Sequence, residues 1–363
     1  MPTLQNNSSA GNYMRVGDEE VRHEILPKTF KWPRLTRCRV TFISFFVVVA
    51  VVFFVYTCTK TLGVSPASIC SLVQSQKVAV SLPPENTPPS AVESERRHPA
   101  HTRRRLPQCI IIGVRKGGTR ALLRFLNLHP NIQAAGREIH FFDDDYNYSL
   151  GYDWYRKKMP FSYANQITME KSPAYFVNEK VPERVWKMNH SISLLLIVRD
   201  PVQRTISDYA QLMYNKIDRG KTFKRFEDNA IDPLTGEINV HYAAIRRSVY
   251  HRHMARWLNF FHLRQFLIVS GEELVDDPVR AIKKVEDFLG LEHRIGQDFF
   301  YFNETRGFYC VREDSRESCL ANSKGRPHPD INPQVVKKLR RYFRGHNEKF
   351  FQLVNQRFDW PTE

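Results

Sequence analysis

Apolar positions from residue 107 onward follow two rhythms. Short runs rich in β-branched residues at 109–114, 193–198 and 265–269 read as buried strands. Between them, apolar residues recur at helical spacing, as in Leu122, Leu123, Phe125 and Leu126 after Thr119, and that stretch stops at His129-Pro130. Asp277-Pro278 opens a further helix over 279–289. Asn332-Pro333 begins a last one, with Asn as the cap and Pro at the first helical position. Strands alternating with amphipathic helices predict an α/β fold with a central, mostly parallel sheet. No internal repeat is present, and nothing divides 107–363 into two domains.

The first hundred residues have a different pattern. Residues 40–59 carry no charge and are packed with Val and Phe, long enough to cross a bilayer. Lys28, Lys31, Arg34, Arg37 and Arg39 precede the stretch, and the first charge after it is Lys60. The positive-inside rule therefore predicts a cytosolic tail at 1–39, a transmembrane signal anchor at 40–59, and everything after it luminal. A cleaved signal peptide is the weaker alternative, because the span begins about forty residues in and lacks a small-residue cleavage site. Residues 60–106, with Pro83-Pro84, Pro88-Pro89 and Arg103-Arg104-Arg105, show neither period and read as a stem leading to a folded domain at 107–363.

Charge and cysteines sharpen this picture. The 363 residues are 42% hydrophobic, enough for a full core, and their formal net charge of +16 favours a polyanionic partner. Cysteines stand at 38, 58, 70, 109, 310 and 319; in an oxidising lumen the neighbours Cys310 and Cys319 are expected to close a small loop as a disulfide. There is no C-x-x-C pair and no H-E-x-x-H among the 13 histidines, so no metal site is expected. Sequons at Asn147, Asn189 and Asn303 agree with glycosylation in the secretory pathway.

Candidate chemistry centres on the end of the first strand. Gly113-Val-Arg-Lys-Gly-Gly-Thr-Arg120 runs from a buried strand through a basic, glycine-rich turn into a helix, which is the form of a phosphate-binding loop. Counted from Gly113, the nucleotide-triphosphatase pattern G-x-x-x-x-G-K-[ST] finds Gly118, but Thr119 and Arg120 stand where Lys and Ser/Thr belong, and the lysine has moved to Lys116. A hydroxyl ligand for magnesium is thus missing, which favours a leaving group that needs no metal. The bland alternative is that Gly117 and Gly118 only make a tight turn.

A second strand ends in Val198-Arg199-Asp200-Pro201, and the following helix carries Arg204, Ser207, Asp208 and Tyr209. Loops at the carboxyl edge of a parallel sheet share one crevice, so Arg199 and Ser207 can meet a second anionic group of the same ligand. The alternative makes Arg199-Asp200 a structural ion pair. In Arg137-Glu-Ile-His-Phe-Phe-Asp143, Glu138 and His140 alternate with apolar residues and share one side if extended, as a base and its partner would. Glu170-Lys171-Ser172-Pro173 offers one more lysine for an anionic substrate.

These motifs together, with F-Y-C and C-L-x-x-S-K-G-R-x-H-P further on, resemble the heparan sulfate glucosamine 3-O-sulfotransferases from about residue 107 to 360. The resemblance implies a P-loop-like sulfotransferase fold and 3′-phosphoadenosine 5′-phosphosulfate (PAPS) as sulfuryl donor, with no metal. It implies that Lys116, Gly117, Gly118, Thr119 and Arg120 hold the 5′-phosphosulfate, that Arg199 and Ser207 hold the 3′-phosphate, and that Lys324, Gly325 and Arg326 close over the donor. Glu138 would be the general base on the glucosamine 3-hydroxyl, assisted by His140 and Asp143, with Lys116 stabilising the departing phosphate. Lys171, Arg120, Gln211 and Tyr242, with Glu138 and His140, would line the saccharide cleft, and Cys310 and Cys319 would form the family disulfide. The implied partners are heparan sulfate chains and, through one transmembrane helix, the Golgi membrane, with no nucleic acid. Gly136 and Ala321, both small, match positions flanking the cleft entrance and lean toward members that accept varied sulfation. A Golgi sulfotransferase for another glycan position or for tyrosine, a catalytically silent heparan-sulfate-binding protein and a nucleotide kinase are the rival readings.

Overall fold

Five strands form the central sheet: β1 (Cys109–Gly113), β2 (Ile132–Ala134), β3 (Ile167–Lys171), β4 (Ser193–Val198) and β5 (Phe266–Ser270), in spatial order β2-β3-β1-β4-β5. All neighbours are parallel. The computed structural model describes residues 99–313, 316–321 and 327–363, within the unit Glu93–Glu363. The expected tail, anchor and most of the stem, and also Lys324, Gly325 and Arg326, lie outside the described residues. Among the described residues no helix is long and apolar enough to cross a membrane.

The uninterrupted apolar runs follow from burial on both faces of the sheet. Ile110, Ile112, Leu194, Leu196 and Val198 point to one side, where they pack with Trp257 and Phe350 of α3 (Tyr250–Leu258) and α6 (Pro333–Val354). The alternate residues Cys109, Ile111, Leu195 and Ile197 pack on the other side with Leu122 and Leu126 of α1 (Thr119–Leu126) and with Ile282 and Val285 of α5 (Pro278–Leu289). Each fully buried Ile or Leu contributes roughly 1.5–3 kcal/mol. The predicted caps are in place: Asp277 accepts from the Arg280 N–H, and Asn332 accepts from the Gln334 N–H.

One strand boundary is corrected, two strands are added, and 137–143 takes a form that its residues left open. The first strand ends at Gly113, one residue early, although the Val114 N–H still donates to the Ile197 carbonyl at 2.8 Å. Strands β2 and β3 carry no clear apolar run; β3 ends in Glu170 and Lys171, charged yet only 0% and 1% exposed, and it is pairing with β1 and β2 that makes it a strand. The segment 137–143 is not extended. It is a turn in which His140 takes φ 52°, and its backbone N–H groups bond to side-chain hydroxyls instead of a neighbouring strand.

After α5 the chain leaves the sheet for an antiparallel hairpin of β6 (Phe300–Asn303), β7 (Phe308–Glu313) and β8 (Arg316–Ser318). Cys310 and Cys319 are joined there, as expected.

Candidate active site

The sheet order puts β1 beside β4, so the two basic loops leave adjacent carboxyl edges. They meet in one cleft of about 260 Å³, lined by Lys116, Gly117, Gly118, Thr119 and Arg120 from the first motif and by Arg199, Ser207 and Gln211 from the second. Glycine is needed at both loop positions. A Cβ at Gly117 would come within 2.7 Å of the Ile197 carbonyl, and Gly118 holds φ 113° as the N-cap of α1. Gly118 brings no side-chain cap, which leaves the first turn of α1 to offer its N–H groups to an anion.

The second loop begins α2 (Pro201–Ile217), and Asp200 is spent on capping it, accepting from the Val202 N–H at 3.0 Å. Among the described residues Asp200 makes no ion pair with Arg199. Two turns on, the buried Asp208 bonds Arg115 at 2.8 Å, Arg204 at 3.2 Å and Arg247 at 3.1 Å. Burial works against the Asp208 charge, but the arginines outweigh it and hold the carboxyl down at about 2. Arg204, also fully buried, donates to the Arg115 carbonyl at 3.2 Å. The loop with Lys116 is thereby tied to the helix with Ser207. Lys116 itself, at φ 72°, reaches the Gln211 side chain at 3.4 Å.

Glu138 lies at the other side of the first motif, and Arg120 connects the two by donating to the Gly136 carbonyl at 3.4 Å. The Glu138 carboxylate bonds both Lys171 Nζ and, at 3.3 Å, His140 Nε2, while His140 Nδ1 bonds Asp143 at 2.9 Å. The His140 bond, followed by Lys171, lowers the Glu138 carboxyl to about 2 against an opposing burial effect. Asp143 first and Glu138 second raise His140 to about 10. The site therefore holds an ionised carboxylate between two cations.

Tyr242 stands apart from that cluster. It packs with Val202, Ile206 and Phe226, facing Asp208 and its arginines, and burial pushes its hydroxyl up to about 12. Of the residues expected along the saccharide, Gln211 and Arg120 line the cleft of the two basic loops, and Lys171 pairs with Glu138. Asn147 donates its side-chain amide to the His140 carbonyl at 3.0 Å, a bond a glycan there would compete with.

Several lining residues were missed by sequence reasoning. Gly271 and Leu274 come from α4 (Gly271–Asp276), Phe308 and Tyr309 from β7, and His328 from the chain beyond the hairpin. Burial, with Arg199 and Lys116 nearby, lowers the His328 pKa. The aromatic pair before Cys310 and the His-Pro at 328–329 were visible signals. Nothing local marked Gly271.

A sulfotransferase-domain family model matches residues 106–355. The chain is 55% identical over 257 residues to heparan sulfate glucosamine 3-O-sulfotransferase 5 of Mus musculus, covering 70% of this chain and 74% of the relative. It is 45% identical over 261 residues to heparan sulfate glucosamine 3-O-sulfotransferase 3B1 of Homo sapiens, covering 71% of this chain and 65% of that one. A crystal structure of a sulfotransferase from Alicyclobacillus acidocaldarius superposes with a TM-score of 0.51 at 18% identity, over 70% of this chain and 98% of that one, and so shares the fold.

Proposed function

The chain belongs to the heparan sulfate glucosamine 3-O-sulfotransferase family, and from that premise we propose how its site moves a sulfuryl group from PAPS to the 3-hydroxyl of glucosamine in heparan sulfate. The observation that carries this reading is the single cleft shared by the Lys116 loop and the Arg199–Ser207 element, next to a paired carboxylate.

The residues present suit a donor with anionic groups at two ends. The cleft offers cations at Lys116, Arg120 and Arg199, hydroxyls at Thr119 and Ser207, and a backbone cradle that admits no Cβ at Gly117. Lys116, Arg120 and the first turn of α1 would hold the phosphosulfate end, and Arg199 with Ser207 the 3′-phosphate. PAPS supplies a sulfuryl group already joined to a phosphate leaving group. Lys116 would neutralise charge developing on that phosphate oxygen. Thr119-Arg120 in place of Lys-Ser/Thr supports a reaction that runs without magnesium.

Glu138 accepts the hydroxyl proton. It is ionised at neutral pH, as a base must be, but Lys171 and His140 weaken it. An acceptor rich in sulfate and carboxylate competes for those two cations and so returns basicity to Glu138 as the hydroxyl arrives. Asp143 holds His140 in line through the bond to Nδ1.

The uncharged stretch at 40–59 with basic residues before it supports a single-pass type II Golgi membrane protein with a luminal catalytic domain, and the Cys310–Cys319 bond suits an oxidising lumen. Gly136, whose added Cβ would meet nothing within 4 Å, and the exposed Ala321 support acceptance of varied sulfation around the target.

The full chain, with labelled PAPS and EDTA, is offered heparan sulfate, chondroitin sulfate and a tyrosine peptide separately, and the labelled position is mapped. Label on the glucosamine 3-hydroxyl is expected. Label elsewhere would discard the acceptor, and donor binding without transfer would favour a silent heparan-sulfate-binding protein.

A further inference from the structure

The turn that carries Glu138 and His140 has no strand partner for its backbone. Four successive N–H groups are instead taken by two hydroxyls: Ser172 Oγ accepts from Ile139 at 3.2 Å and His140 at 3.1 Å, and Tyr175 Oη accepts from Phe141 at 2.9 Å and Phe142 at 3.4 Å. A hydroxyl accepting in this way has its own hydrogen left to place. The Ser172 hydrogen goes to Glu170 at 3.0 Å, and the Tyr175 hydroxyl lies where Ser172 and Glu170 both act on it. Tyr155 donates its hydroxyl to the same carboxylate at 2.9 Å. Glu170 is 0% exposed, with no cation among these partners.

We propose that Glu170 is a positioning residue for sulfuryl transfer: its buried carboxylate orients the Ser172 hydroxyl and, beside the Tyr175 hydroxyl, fixes the turn that aims Glu138 and His140. An ionised carboxylate accepts from the Ser172 and Tyr155 hydroxyls at once. A protonated one must donate, so at least one hydroxyl turns round and the grip on a backbone N–H is lost. His140 sits at φ 52°, a conformation that persists only while its surroundings impose it. Displacing a base by about 1 Å costs on the order of 100-fold in rate. The pH has a bearing too. The groups facing Glu170 are Tyr155, Ser172 and Tyr175, whose hydroxyls hold its pKa down, and Asp143, whose charge raises it; burial dominates and lifts the carboxyl to about 7. The turn should therefore loosen on the acid side of neutrality.

This inference rests on the reaction proposed above, and the test separates the two. Full-length wild type, Glu170→Gln and Tyr175→Phe are compared with labelled PAPS and heparan sulfate across the pH range. Wild type that puts no label on the 3-hydroxyl removes the premise. With an active wild type, Glu170→Gln should lose about 10- to 100-fold in kcat while KM for both substrates stays within about twofold. The fall in rate that wild type shows below about pH 7 should be absent from it. Tyr175→Phe, which keeps Glu170 but removes the one hydroxyl that accepts from two N–H groups, should give the same split of kcat from KM, and it decides the matter if Glu170→Gln does not fold. Wild-type kcat in either folded variant, or losses in kcat and KM that only follow the folded fraction, would overturn the inference.

Discussion

Lys171 is 1% exposed at the end of β3, and its ammonium rests on the Glu138 carboxylate, which is itself one-third exposed. A nearly buried cation thus touches the carboxylate proposed to take the hydroxyl proton. Pairing is what makes burial of the Lys171 charge tolerable.

Glu138→Gln keeps the shape and removes the proton acceptor. Its kcat should fall by about 10²–10⁴ while donor affinity, read by calorimetry with 3′-phosphoadenosine 5′-phosphate, is unchanged. Lys116→Ala should also lose turnover, whereas Arg199→Ala should chiefly weaken the donor. Ordinary activity in Lys116→Ala would overturn its charge-stabilising role.

His140 titrates from an ordinary 6.5 up to about 10 in the folded protein, because Asp143 and then Glu138 favour its charged form. A raised pKa adds stability that is whole below the unfolded value and disappears as pH climbs through the folded one. The thermal midpoint of wild type should therefore exceed that of His140→Gln most clearly near pH 6, with the gap closing toward pH 10. A gap that does not change over this range would show that the imidazole is not held charged.

Asp208→Ala leaves Arg204 buried with its carboxylate partner gone. Removing one partner of a buried pair costs about 3–5 kcal/mol, to be read as a lower urea midpoint. Donor affinity should fall as well, since Asp208 joins the Lys116 loop to the Ser207 helix; an unchanged affinity in folded protein would deny that link.

Cys319→Ser opens a hairpin whose ring spans a sequence separation of 9. The chain-entropy model assigns such a loop ~2–3 kcal/mol. Phe308 and Tyr309 in β7 line the cleft proposed to hold the donor, so the donor dissociation constant should rise in Cys319→Ser. Stability lost with donor affinity intact would separate the hairpin from the site.

Local sequence carried a good part of this outcome. The strand β1, the turn at Gly117 and Gly118, the caps Asp277 and Asn332 and the Cys310–Cys319 pair each announce themselves within a few residues, because strand burial, positive φ, capping and ring closure are short-range demands. Glu138, His140 and Lys171 could be named as candidates from residue type and motif alone. Their arrangement could not: 137–143 is not the extended segment in which Glu138 and His140 would share a side, because the acceptors for its N–H groups come from Ser172 and Tyr175, more than thirty residues away.

The sequence by itself determined which side chains carry charge, where the chain must bury apolar runs, and where an anion can be cradled. Only the tertiary structure decided that β1 and β4 are neighbours, so that two basic loops make one cleft, and that Glu170 and Asp208 are interior carboxylates with opposite fates. Burial lifts Glu170, which has hydroxyls but no cation around it, to about 7, whereas the arginines around Asp208 outweigh burial and hold it at about 2. A carboxylate's proton affinity depends on which groups surround it in space, and those neighbours are brought together only by folding.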